Sequence, residues 1–496
     1  MKDPVVIVGG GLGGMTAALA LARRGAAVVL LEKQPCLGGY SVAYRRAGYA
    51  FDVALHVAAA GDPGQEFCSV IESLGLGANV AFVRLKDAFD VRLGAWRFAM
   101  PNDWDRLFDA LHAEFPAERG GLLRLRKNLD ALNRAYAPLL KSPAGIGPFR
   151  HVARFPGLVR RSYLGTDRYL AGFVRDPRLT ALLFQAAIFL GVPMADFPAI
   201  NFIMMFNLLF RRGLYTIAGG GQALTAAMEP ALSAAGVRVV TGAEATRVTI
   251  RNRAAVAVTT AEGETFPASA VVLAISLPQA VERLIGRPAF PAGYLSHLEA
   301  LRPSLSAVMV NLGLDGPTSQ GGVSSYLTMC YPSPDLDDTI RRQKRSLGLE
   351  AFSVTAPDQA WRWPSASDRG TLSLVGGTDA HAWLALSPEP YKVAKQTVAQ
   401  AALRQLEAQF PGVRPHVAFV DVATPRTFQR FTGNPLGAIM GFECVVGMHR
   451  HLLAVGQLPF RRLHAAGAWT PRMGGFMPSM QAGLAAAETV WEELGR

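Results

Sequence analysis

Residues 5–14 read Val-Val-Ile-Val-Gly-Gly-Gly-Leu-Gly-Gly, and an Ala/Leu-rich stretch leads from them to Val28-Val-Leu-Leu-Glu32. Val5–Val8 predicts a short buried strand, Met15–Arg24 a helix, and Val28–Leu31 a second strand with Glu32 at its end. Gly9, Gly11 and Gly14 fit G-x-G-x-x-G. In that pattern Gly9 permits a tight turn, Gly11 lets a pyrophosphate approach the backbone, and Gly14 lets helix and strand pack closely. The helix N-terminus offers free N–H groups and a positive dipole to phosphates. Glu32 can accept hydrogen bonds from a ribose and opposes a ribose 2′-phosphate. Alone, the glycine pattern is a weak signal that also suits a ligand-free turn. Strand, glycines, helix, strand and acid in this order predict a bound dinucleotide.

The 496 residues are too many for one simple core, so two or three lobes are expected. Half of the residues are hydrophobic and 18% are charged, which is a globular composition that argues against disorder. The net charge of +12 suits an anionic partner such as nucleic acid, anionic lipid or an acidic substrate. Cys36, Cys68, Cys330 and Cys444 are scattered with no C-x-x-C pair. They point to a reducing compartment and to no zinc site.

Beyond the N-terminal block, residues 102–140 carry apolar positions at helical spacing, among them Leu107, Leu111 and Phe115. Arg119–Arg178 holds thirteen Lys or Arg against Asp130, Asp167 and Asp176, interleaved with Leu, Phe, Tyr and Val. Leu179–Phe210 then has one charge, Asp196, and is broken by Pro193 and Pro198 into pieces too short for the ~20 apolar residues of a membrane span. Gly219–Gly221 leads into a helix at Leu224–Ala235, with no apolar strand expected before it. Strands are expected at Val237–Val240, Ala245–Ile250 and Ala270–Ile275. Residues 286–440 mix strands (Ser306–Leu312, Thr371–Val375) with a helix at Glu389–Gln409. A last helix is expected from about Gln481. The division is an α/β nucleotide-binding domain from 1–85, 213–285 and 441–496, a helical cap at 86–212, and a substrate-binding domain at 286–440.

Several blocks in order resemble one family: the N-terminal cradle, Gly38-Gly39, Gly48…Phe51-Asp52…His56, Gly219–Gly221, Ala423-Thr-Pro-Arg-Thr427…Gly437, and Gly467-Ala-Trp-Thr470…Gly475. Together they resemble the FAD-dependent phytoene desaturase, carotenoid isomerase and retinol saturase family over nearly the whole chain. The resemblance implies a Rossmann-type FAD-binding domain, of the glutathione-reductase and amine-oxidase kind. A mixed-sheet substrate domain and a helical membrane-facing insertion complete the implied fold. It implies FAD contacts at Gly9, Gly11, Gly14, Glu32, Lys33, Gly38, Gly39, Tyr40, Gly467, Ala468 and Met477, with Val248 touching the adenine through its backbone.

The chain also departs from the family pattern. Ala54 stands where relatives often have Gly, Tyr40 where some have a basic residue, and Pro471-Arg472-Met473 where bacterial desaturases have His-Pro-Gly. The His56 block leans toward the isomerase and saturase branch, and Gly467-Ala468 toward the desaturases. Only one complete nucleotide fingerprint is present, so no NAD(P)H domain is expected. Electrons would pass to or from a quinone, oxygen or a soluble partner at the flavin.

No catalytic triad is legible. His56 is the candidate polar group near the flavin, set against an ordinary structural histidine. Asp52 reads as a loop anchor. Trp469 and Phe476 suit either a flavin wall or the core. His449 and His451, on an expected loop, lack the neighbours of a metal site. Phe197, Phe202, Met204, Met205, Phe206 and Phe210 suit a tunnel for a long apolar ligand, or the core of the cap. The basic, amphipathic stretch beside them suits an anionic membrane surface better than nucleic acid, for which no module is present. The expected protein is cytoplasmic and peripherally membrane-associated. It desaturates, isomerises or saturates carbon–carbon bonds of a carotenoid or polyisoprenoid. A flavin amine oxidase and a non-catalytic lipid-binding flavoprotein are the alternatives.

Overall fold

Val5–Val8 is the middle strand of a parallel five-stranded sheet in a computed structural model that describes residues 3–140, 156–362 and 369–495. The sheet order is Arg238–Thr241, Val28–Glu32, Val5–Val8, Ala270–Leu273, Leu463–Ala465. Val5 pairs with Val28 on one side and Ala270 on the other. Both faces are covered, so the central strands are continuous Val/Ile/Leu runs without alternation. The first helix, Leu12–Arg23, and the terminal helix, Phe476–Glu493, pack together against one face. Their contact depends on glycine: a Cβ on Gly483 would lie 2.3 Å from the Gly13 carbonyl oxygen.

The second lobe is built on a seven-stranded mixed sheet. Its order is Val417–Ala423, Ser306–Leu314, Thr371–Thr378, Phe352–Thr355, Leu327–Tyr331, Asp87–Leu93, Trp96–Pro101. The two-residue period of a strand divides its side chains between two environments. Val308, Val310, Leu312 and Cys330 pack under the helix Pro388–Gln409, which buries Val398, Ala402 and Leu406 against them. Ala307, Met309, Met329 and Tyr331 alternate with them and face the interior cavity.

The third region is helical, with Trp104–Glu114, Arg119–Leu140, Pro156–Ser162, Thr166–Ala171, Pro177–Phe184 and Ala199–Arg212. No helix among the described residues is long and apolar enough to cross a membrane. Lys141, Arg150 and Arg154 of the basic stretch lie outside the described residues.

Three sequence expectations are corrected. The cap expected at 86–212 is not helical from its start. Asp87–Pro101 is a hairpin turning at Gly94 (φ +59°), and its first strand runs parallel to Leu327–Tyr331, so these residues complete the other lobe's sheet. The terminal helix begins at Phe476, not Gln481. Pro478 sits in its first turn, where a missing N–H costs nothing. A buried strand, Leu214–Ile217, does precede Gly219–Gly221. Tyr215 and Thr216 interrupt its apolar run, and it pairs antiparallel with Ala58–Ala59 and Phe82–Arg84, outside the parallel sheet.

Gly483→Ala is expected to force the two helices apart and lower stability by about 1–3 kcal/mol, as overpacking of a tight contact does. Chemical denaturation monitored by circular dichroism measures it, and an unchanged midpoint would show that the contact relaxes freely.

Candidate functional site

One cavity of about 1230 Å³ runs from the glycine cradle to the inner face of the seven-stranded sheet. The cradle end is shaped by backbone. Gly9 has φ +104°, and Gly14 lies so close beneath it that a Cβ there would meet the Gly9 carbonyl oxygen at 1.9 Å. Gly11, the N-cap of the first helix, has nothing within 4 Å of where its Cβ would be, and no side chain caps the helix. The first-turn N–H groups are therefore left for a ligand in the cavity. Gly13 backs directly onto Gly467, at 2.7 Å from a built Cβ, so the far C-terminal loop closes on the cradle. Gly467 itself (φ +83°) has nothing within 4 Å of its own Cβ position.

Glu32 is buried at the end of its strand and oriented from two sides. Its Oε2 accepts from the Gly10 N–H at 2.6 Å and its Oε1 from the Gln34 N–H at 2.8 Å. Each oxygen keeps a further lone pair for a ribose hydroxyl. Lys33 lines the cavity beside it. Burial holds its ammonium below the usual value, opposed by the charges of Glu244 and Glu32. Gly38 (φ +118°) and Gly39 (φ +61°) carry the chain across the cradle, where a Cβ on Gly38 would collide with Thr225 and Val42.

Asp52 accepts from the backbone N–H groups of Ala54, Leu55 and Gly221. Burial pushes its carboxyl up to about 6 while those three donors pull it back. A Cβ on Gly220 would sit 2.1 Å from Asp52 Oδ2. The Phe51-Asp52 block and the Gly219–Gly221 block are therefore two halves of one contact, which fixes the loop bearing His56. His56 lines the cavity with Nδ1 3.0 Å from Thr355 Oγ1, and burial pushes its imidazole down to about 4. It is neutral at ordinary pH.

Tyr40 also lines the cavity. Its hydroxyl donates to the Ala438 carbonyl at 3.3 Å, and burial pushes it up to about 12. Ala468, Trp469, Phe476 and Met477 form the adjoining wall, where Trp469 Nε1 donates to Asn434 Oδ1 at 3.2 Å. Met473 adopts the left-handed conformation (φ +68°), which costs a residue with a Cβ about 1 kcal/mol of strain.

Not every expected residue reaches the cavity. Val248 is buried in its strand opposite Val258 and does not line it. Ala243, Glu244 and Ala245 line it instead, with the Ala243 N–H donating to the Glu32 carbonyl. The two alanines and the glutamate between them carry no pattern that a sequence reading would single out. Phe197, Phe202, Phe206 and Phe210 belong to the core. The last three, four residues apart, pack as tilted ring pairs along the inner face of Ala199–Arg212, while Met205, Leu208 and Leu209 on another face line the cavity. His449 and His451 lie on a helix, His449–Val455, and no group of metal-ligating side chains occurs among the described residues.

An open Gly11, a carboxylate at the strand end, an uncapped helix terminus and a glycine loop closing from the other end of the chain fit FAD. Residues 12–491 match the family described as flavin containing amine oxidoreductase, and the chain belongs to that family. It is a flavoprotein oxidoreductase with FAD as its cofactor. It is 26% identical to 4,4′-diapolycopene oxygenase of Methylomonas sp over 72% of each chain. It is 23% identical to the chloroplastic prolycopene isomerase of Arabidopsis thaliana, covering 87% of this chain and 73% of that one. All-trans-retinol 13,14-reductase of Danio rerio is 22% identical, over 88% and 77%. Among solved structures, cyclohexylamine oxidase from Brevibacterium oxydans shares the fold over the full length of both chains, with a TM-score of 0.65 at 18% identity.

Two outcomes follow. Glu32→Ala removes a charged acceptor worth about 1.5–3 kcal/mol, so FAD should bind roughly 10–100-fold more weakly in a flavin-fluorescence titration. An unchanged affinity would remove Glu32 from the site. His56 is protonated more readily unfolded than folded, so it lowers stability as pH falls from about 6.5 to about 4. His56→Gln should reduce that acid loss by about 2–3 kcal/mol, read from denaturation midpoints at pH 7 and pH 4.5.

Proposed function

We propose that this flavoprotein acts on carbon–carbon bonds of a long apolar polyene or isoprenoid of the carotenoid type. The observation that carries the reading is the continuity of the glycine cradle with an apolar chamber. Met309, Met329, Leu336 and Ile340 supply one wall, and Leu190 and Met205 another. The carboxylates among the described lining residues are elsewhere. Glu32, Glu229 and Glu244 lie toward Lys33 and Cys36, and Asp421 is occupied by Tyr44 and Arg46. A cationic amine would lose its hydration and find no free acid in the chamber, whereas a polyene carries no charge to desolvate and gains by leaving water. The relatives' names support the same substrate class.

In this reading Gly9, Gly11, Gly14, Glu32, Lys33, Gly38, Gly39, Tyr40, Gly467, Ala468 and Met477 hold FAD. Ala243–Ala245 take the adenine contact first assigned to Val248. FAD, when bound, supplies hydride acceptance or donation. His56, with Nδ1 engaged by Thr355, keeps Nε2 available to hold a proton beside the reacting bond. Trp469 and Phe476 exclude water from that end. The protein works at an anionic membrane surface on the cytoplasmic side, with a quinone or oxygen taking electrons.

Expression in a carotenoid-producing bacterial host followed by pigment chromatography tests the reading. A changed degree of saturation or isomer ratio is expected, and Glu32→Ala should diminish the change. Unaltered pigments, together with amine oxidation by the purified holoprotein, would make it an amine oxidase. Unaltered pigments without turnover of either class would leave a lipid-binding flavoprotein.

A further inference from the structure

We propose that the cap carries a second site, which binds a phosphate group. Its pocket, about 360 Å³, shares no lining residue with the FAD cavity. Arg160 and Arg161 come from the helix Pro156–Ser162, Arg168 from Thr166–Ala171, and Asn128 from Arg119–Leu140. No ion pair joins any of the three arginines to a carboxylate among the described residues. Other arginines of the cap are paired in this way, for example Arg126 with Asp105, Arg178 with Asp176 and Arg211 with Asp130.

The pocket is also braced. Arg161 Nη1 donates to the Gly157 carbonyl at 2.9 Å, and the Tyr169 hydroxyl donates to Asn128 Oδ1 at 2.9 Å. These bonds hold one guanidinium and the pocket floor in place before any ligand arrives. Arg160 and Arg168 are exposed at the rim. Three arginines border one concavity, and guanidiniums carry forked donors of the kind that pair with the tetrahedral oxygens of phosphate.

Two exposed apolar side chains of the cap indicate where the phosphate comes from. Tyr163, 57% exposed, sits between Arg161 and the pocket residue Leu164, and Leu123, 52% exposed, lies on the same helix as Asn128. An exposed aromatic and an exposed aliphatic in the same helical cap as the arginines suit the headgroup level of a bilayer. The phosphate is then that of an anionic lipid. This source rests on the membrane reading above, whereas the pocket's chemistry does not. Free phosphate carries the same chemistry and is separated from it by the experiment.

The test compares the FAD-loaded full chain with R160Q/R168Q, which alters the two rim side chains and leaves the braced Arg161 intact. Vesicles of phosphatidylcholine with and without 20% phosphatidylglycerol are used in flotation, and inorganic phosphate at about 10 mM in thermal melts. Each basic side chain at an anionic surface contributes about fivefold to binding, so the variant should bind phosphatidylglycerol vesicles roughly 25-fold more weakly with an unchanged flavin band. A phosphate-dependent rise in melting temperature for the native chain but not the variant, without flotation, would keep the site and assign it free phosphate. Equal flotation of both proteins, with no phosphate effect on either, would overturn the site while leaving membrane binding intact. Absence of flotation and of any phosphate effect in the native chain would overturn both.

Discussion

The structure depends on backbone meeting backbone at the cradle. Gly14 lies under the Gly9 carbonyl, Gly13 against Gly467, and Gly483 against the Gly13 carbonyl. None of these contacts leaves room for a methyl group. They bring the first strand, the first helix, the C-terminal loop and the terminal helix together from opposite ends of the chain. The same closeness leaves the first-turn N–H groups and the open face of Gly11 pointing into the cavity. The contact that folds the lobe is therefore also the contact that makes a place for a pyrophosphate.

A second constraint joins this lobe to the chamber. Asp52 accepts three backbone N–H groups, two from its own loop and one from Gly221 at the start of another helix. Burying a carboxylate is costly unless it is hydrogen-bonded in this way. The loop so fixed carries His56 to the sheet of the second lobe, where Thr355 receives it. That sheet spends one face on its covering helix and the other on the cavity, so the period of its strands builds the chamber's apolar wall.

Much of this is legible in the residues. The order of Val5–Val8, the glycines and Glu32 specifies the nucleotide lobe, because each residue type answers a local geometric demand. Gly38-Gly39 and Gly467 are legible for the same reason, since only glycine adopts their conformations cheaply. Other features depend on pairing across the fold. Asp87–Pro101 becomes a hairpin of a distant sheet because Leu327–Tyr331 lies beside it, which no local pattern announces. Ala243–Ala245 line the cavity through position alone. The phenylalanines of Ala199–Arg212 and its cavity-facing Met205 have similar composition, and only the helix rotation separates core from wall. The arginine pocket was visible as charge but not as a concavity, since its members come from three helices.

The central claim is that a flavin bound at the cradle faces a chamber made for an apolar chain. The most direct measurement is anaerobic incubation of the FAD-loaded protein, oxidised and reduced in separate runs, with a vesicle-borne polyene and with primary amines. Both the flavin band and the polyene's own absorption are followed. A changed polyene spectrum in at least one redox state, with no response to amines, is the expected result. Flavin bleaching by an amine while the polyene spectrum stays unchanged would contradict it.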